Sequence, residues 1–145
     1  MQQKIQDIIV DLIYENNLTI SDLSRKIGMD YKQLSNFVKG KYAPSLKSAI
    51  KLADFFGCSL DFLCGLSDHF SVHEYSEPDY MFYNRYKQIL SERGITHYKL
   101  AKKTGINVND SRLWKQGKIP TLSTLIKISD YLGVSIDNLI GRSVK

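Results

Sequence analysis

The sequence predicts an all-α protein in which one small five-helix domain is used twice. Three observations carry that expectation. Residues 12–41 align with 89–118 at an offset of 77, and residues 44–67 align with 120–143 at an offset of 76, so the chain contains an internal repeat. Apolar residues recur at helical spacing within each copy. Glycines and polar caps interrupt that pattern at matching places, as in Thr19/Thr96, Leu23/Leu100, Gly28/Gly105, Gly40/Gly117, Pro44/Pro120, Gly57/Gly133 and Leu63/Leu139. The frame coincides while exposed positions mostly differ, which describes one scaffold carrying two surfaces.

Each element follows from its own signals. A first helix is expected from about Lys4 to Asn16, with Ile5, Ile9 and Leu12 on one face, and its counterpart from about Tyr80 to Arg93 with Phe82, Tyr86 and Ile89. The second starts after Thr19, where Thr19 and Asp22 fit a capping box. Thr96 keeps the cap in the second copy, but Lys99 replaces the acid. Gly28 and Gly105 end these helices in the left-handed conformation that glycine tolerates best. The third helix is expected to start at Asp30 or Asn107, both good N-caps, with Leu34 and Phe37 or Trp114 facing inward and Gly40 or Gly117 closing it. The fourth follows Pro44-Ser45 or Pro120-Thr121, and a short fifth is capped by Ser59 or Ser135.

Composition narrows the class. A chain of 145 residues can hold one domain or two small ones, and 43% hydrophobic with 24% charged residues is ordinary for a globular protein. No apolar run approaches the roughly 18 residues of a membrane span, and the N-terminus looks like a helix rather than a signal peptide. Cys58 and Cys64 fall where the second copy has Val134 and Ile140, which makes them small core hydrophobes in a reducing cytoplasm rather than a disulfide or a metal pair.

Charge is unevenly spread. Residues 1–67 hold 8 Lys/Arg against 7 Asp/Glu, residues 68–80 hold 4 acids and no Lys or Arg, and residues 81–145 hold 12 Lys/Arg against 4 acids. The boundaries expected are therefore a first domain over 1–67, an acidic linker over 68–80 and a second domain over 81–145. A basic second half suits a polyanionic partner. Within the linker His69 and His73 stand four apart, but a pair without further ligands is weak metal chemistry, and neither a metal nor a cofactor is expected.

The stretches ITHYKLAKKTGI and WKQGKIPTLSTLIKISDYLGVSIDNL, with LTISDLSRKIGM, LSNFVKGKYAPSL and FFGCSLDFL in the first copy, resemble the Cro/C1-type helix-turn-helix family of DNA-binding domains. The resemblance covers nearly all of the chain except the linker. It implies two tandem lambda-repressor-like domains in which the exposed start and outer face of the third helix read base edges. Those positions are Tyr31, Lys32, Gln33, Ser35 and Asn36 in the first copy, with Lys39 toward the phosphates, and Val108, Asn109, Arg112 and Leu113 in the second, with Gln116 toward the backbone. Asn and Gln can pair with adenine, Lys and Arg with guanine, and Val or Leu can meet a thymine methyl. Thr19 and Thr96 sit where an amide and a hydroxyl can hold a phosphate, and Lys41 and Lys118 should add phosphate contacts. Plain solvation is the alternative for each of these side chains.

Lys115 stands where the family commonly has an acid, which only adds positive charge, and two further features stand out. Ser111 occupies the place of the inward Leu34, which weakens the seat of the third helix or shifts its tilt. Ile8, Val10, Ile13 and Tyr14 make the first helix apolar on most of its circumference, so a spare face can meet a second copy or another protein, or simply pack within its own bundle.

The function expected is a sequence-specific double-stranded DNA-binding regulator, most simply a repressor, in the cytoplasm and on the nucleoid. Partners of this type grip half-sites about 34 Å apart, and about 14 extended linker residues reach ~46–50 Å. Unlike reading helices favour a non-palindromic site. The alternative is an adaptor or inhibitor in which one copy docks a protein. Catalysis is not expected, because the chain has no phosphate-cradling glycine loop and no Cys/His nucleophile pair.

Overall fold

The computed structural model describes residues 5–145, so the expected start of the first helix at Lys4 lies outside the described residues. Those residues form ten helices and no strand. They divide into two compact units, 1–74 and 75–145.

Unit 1 holds α1 (Ile5–Glu15), α2 (Ile20–Ile27), α3 (Tyr31–Val38), α4 (Leu46–Phe56) and α5 (Leu60–Leu63). Four of these five are capped by a side chain or closed by glycine as the sequence indicates. Thr19 accepts from the Asp22 amide while the Asp22 carboxylate accepts from the Thr19 amide, which completes the capping box of α2. Ser45 and Ser59 cap α4 and α5. Gly28 closes α2 at φ 67°, a left-handed geometry that costs glycine little. Ile9, Leu23, Leu34, Leu52, Leu60 and Leu63 are fully buried, each contributing on the order of 1.5–3 kcal/mol by leaving water. Ile8 and Ile13 join this core, whereas Val10 is 38% and Tyr14 83% exposed. Half of the apolar surplus of α1 is therefore ordinary packing. Cys58 and Cys64 are buried thiols.

Unit 2 repeats the plan with α6 (Phe82–Arg93), α7 (His97–Thr104), α8 (Asp110–Lys115), α9 (Leu122–Leu132) and α10 (Ile136–Ile140). Two elements start later than the sequence suggests. α6 begins at Phe82 rather than Tyr80, because Tyr80 takes a left-handed φ of 57° and the Asp79 carboxylate takes the Met81 amide at 2.9 Å. Along α6 the buried residue is Leu90 rather than Ile89, which is half-buried. α8 begins at Asp110 rather than Asn107.

The acidic stretch between the repeats is bound at both ends. In unit 1, His73 N donates to Gly57 O at 2.8 Å, and Phe70 packs on Phe62 with ring centroids 4.9 Å apart. In unit 2, Tyr75 pairs with Val144 in an isolated antiparallel bridge, and Ser76 N donates to Ser143 O at 2.7 Å. The Tyr75 ring lies 3.9 Å from the Arg142 guanidinium, which is buried and paired with Asp137 at 2.6 Å. An extended tether across 68–80 therefore requires these contacts to open.

Removing one member of a buried pair leaves a charge in low dielectric, which typically costs about 3–5 kcal/mol. Arg142→Met should accelerate amide exchange throughout α9 and α10 while leaving unit 1 unchanged. A second expectation concerns acid. The Asp79 carboxyl is held down to about 2 from 3.8, first by its hydrogen bond from Arg85 and then by the Met81 amide. Its contribution is complete above pH ~4 and is lost as pH falls through about 2. Asp79 is exposed and its pair screened, so the effect stays under ~1 kcal/mol. Acid titration of unfolding should show a shallower loss in Asp79→Asn.

Candidate nucleic-acid interface

The exposed third helices of both units are built differently despite their common origin. In unit 1, the Asp30 carboxylate accepts the Gln33 amide at 3.3 Å and α3 runs two full turns. Tyr31, Lys32 and Gln33 are exposed on its first turn. Asn36 is half-buried one turn later, and Lys39 and Lys41 are exposed after the helix end. Lys41 Nζ lies 5.8 Å from the Tyr42 ring. Ser35 does not belong with this group, being only 7% exposed. At the far end the Gln6 amide donates to Val38 O at 3.0 Å. Gly40 takes a left-handed φ of 73°, which favours glycine there.

In unit 2, Asn107 is not the N-cap. Its side-chain oxygen accepts the Asn109 amide at 2.9 Å, and its carbonyl accepts the Asp110 amide at 3.0 Å, forming a tight turn instead of a first helical turn. Val108 and Asn109 are thus presented from that turn, Val108 half-buried and Asn109 exposed. Arg112 is exposed on α8, Leu113 is 44% exposed beside it, and Gln116 and Lys118 are exposed beyond its end. Ser111 is half-buried, with its hydroxyl 3.4 Å from Val108 O, so a polar residue at the place of Leu34 is accommodated by local bonding.

The seat of α8 is a cluster of four rings. Trp114 makes edge contacts with Phe82, Tyr86 and His97 at centroid separations of 5.4, 5.5 and 5.6 Å. Phe82 and Tyr86 stack at 5.4 Å. The corresponding residues of unit 1 are Ile5, Ile9, Ile20 and Phe37. His97 also bridges Tyr86 Oη at 2.7 Å and Val108 O at 2.9 Å. Burial pushes the Tyr86 phenol well above its ordinary pKa, keeping it protonated. Sequence reasoning overlooked His97, although a polar residue at a frame position, opposite Ile20, coincides with another at Tyr86 opposite Ile9.

The two threonines also differ. Thr19 and Thr96 are both exposed caps. The Thr19 amide is occupied by Asp22, whose carboxyl is held below its ordinary pKa chiefly by that bond. Lys99 stands at the matching place in unit 2, so the Thr96 end of α7 carries a cation where α2 carries an anion. Asp22 in turn receives Arg25 at 2.8 Å. No group of three or more metal-binding side chains occurs among the described residues.

Trp114→Ala should remove a keystone of the ring cluster, destabilising unit 2 by about 3–5 kcal/mol. Hydrogen exchange should report the loss in α6 to α8 while α1 to α5 keep their protection.

Comparison with known proteins matches this architecture. A helix-turn-helix family profile matches residues 12–63, and a Cro/C1-type HTH DNA-binding domain profile matches residues 85–144. An uncharacterized HTH-type transcriptional regulator of Methanocaldococcus jannaschii is 46% identical over 46 residues, which cover 32% of this chain and 70% of the relative. No solved structure matches the chain, and no helix among the described residues is long and apolar enough to cross a membrane. These matches place the chain in the Cro/C1-type helix-turn-helix family of DNA-binding transcription regulators, with two tandem copies of the domain.

Proposed function

We propose that the protein is a repressor that reads a non-palindromic double-stranded site with two different helices. The observation that supports this most is the contrast of exposed side chains on equivalent scaffolds. Unit 1 offers Tyr31, Lys32, Gln33 and Asn36, whereas unit 2 offers Val108, Asn109, Arg112 and Leu113. Lys32 and Arg112 can pair with guanine, Gln33, Asn36 and Asn109 with adenine, and Leu113 or Val108 can meet a thymine methyl. Thr19, Lys39, Lys41, Thr96, Gln116 and Lys118 flank these faces and hold the backbone, fixing register without reading sequence. Ser35 has no contact in this scheme. Cytoplasmic residence on the nucleoid follows from the partner.

A second reading keeps unit 2 on DNA and gives unit 1 to a protein or to a second copy of the chain. It is favoured by the 83% exposed Tyr14 and 38% exposed Val10 on α1, together with the nearly neutral charge of residues 1–67.

Selection of bound duplexes from a random pool distinguishes these readings. The full chain should enrich a site with two dissimilar halves, and a mirror-symmetric site would contradict the two-headed repressor. Asn109→Ala should relax preference at one position by ~1–3 kcal/mol. Lys118→Ala should instead weaken binding to all sequences alike and lower the salt slope by about 1.

A further inference from the structure

We propose that His97, keyed by Tyr86, is a positioning residue that sets where α8 begins, and hence which side chains unit 2 presents. The bond pattern leads to this directly. In a helix starting at residue 108, the Val108 carbonyl would accept from the amide four residues on, that of Arg112. Here Val108 O is taken at 2.9 Å by His97 Nε2, with the Ser111 hydroxyl 3.4 Å away. The Arg112 amide turns instead to Asn109 O at 3.2 Å. Capture of one carbonyl by a side chain thus accounts for the six-residue α8 where α3 has eight.

Tyr86 gives the capture its direction. A carbonyl only accepts, so His97 Nε2 carries the hydrogen toward Val108. In the neutral ring Nδ1 is then an acceptor, and the protonated Tyr86 phenol donates to it at 2.7 Å. The Val108 carbonyl and the Tyr86 hydroxyl together therefore hold the Nε2–H tautomer, and edge contacts from Tyr86 and Trp114 hold the ring's plane. Unit 1 has Ile9 and Ile20 at these places, and its third helix starts at Tyr31 behind an Asp30 cap. The device belongs to unit 2 alone. Neither His97 nor Tyr86 needs to touch a base; they act through Val108, Asn109 and the turn that presents them.

The consequence for sequence preference rests on the DNA-reading function proposed above, whereas the placement of α8 does not. The test uses the full chain as wild type, Tyr86→Phe, His97→Gln and His97→Ile. Imidazole nitrogen shifts should show the Nε2–H tautomer in wild type and a mixture in Tyr86→Phe, which keeps the ring packing and loses only the hydroxyl. Exchange of the Arg112 amide should change in His97→Ile and return toward wild type in His97→Gln, whose amide can still donate to Val108 O. In pool selection, preference in one half of the site should relax by on the order of tenfold in Tyr86→Phe and His97→Ile. The other half and the low-salt affinity for random duplex should hold. A wild-type tautomer retained in Tyr86→Phe, or wild-type Arg112 exchange retained in His97→Ile, would overturn the proposal. If wild type enriches no site at all, the DNA-reading function falls, and the exchange and tautomer measurements alone decide the role of His97.

Discussion

Each third helix depends on the burial of one aromatic side chain. α3 and α8 are eight and six residues long, and helices below about 12–15 residues are marginal in water on their own. Their exposed faces carry polar residues that contribute little to folding. What fixes them is Phe37, 4% exposed, and Trp114, likewise 4% exposed, each lodged against the first helix of its unit and the helix that precedes it. The surrounding caps, the left-handed glycines and the fourth helix serve to keep that lodging rigid, so a partner meets a preformed surface and pays little to order it.

The repeat shows how much freedom such a seat leaves. At the places of Phe82, Tyr86 and His97 unit 1 has isoleucines, which fill space without direction. Unit 2 surrounds Trp114 with rings whose edge-to-face geometry and polar atoms impose orientation. The aliphatic seat permits a regular helix start governed by Asp30. The aromatic seat brings in His97, and with it a claim on backbone that a regular helix would use. Divergence of the two surfaces thus involves the layer beneath the helices as well as the exposed residues.

Much of this was legible in the sequence because it depends on local chemistry repeated twice. The capping box at Thr19–Asp22, the serine caps and the glycine stops need only neighbours within four residues. The buried frame follows from helical period. What escaped were effects decided across sequence distance. Asn107 looked like a cap, yet a histidine ten residues earlier takes the carbonyl that the first turn needs. Ser35 looked like a surface residue because serine is small and polar, whereas the fold leaves it only 7% exposed. The acidic stretch had no period to reveal a structure, but its aromatics and backbone amides find partners on each unit.

The Asp22 carboxylate on the Thr19 amide has a meaning beyond capping. It sets a fixed anion at the N-terminus of α2, so that helix end is already neutralised by its own chain. Unit 2, with Lys99 at that place, must recruit its counter-charge from solvent. Exchanging bound small ions for phosphates is what makes association salt-sensitive, so a phosphate held at the Thr96 end would depend on salt more steeply than one held at the Thr19 end.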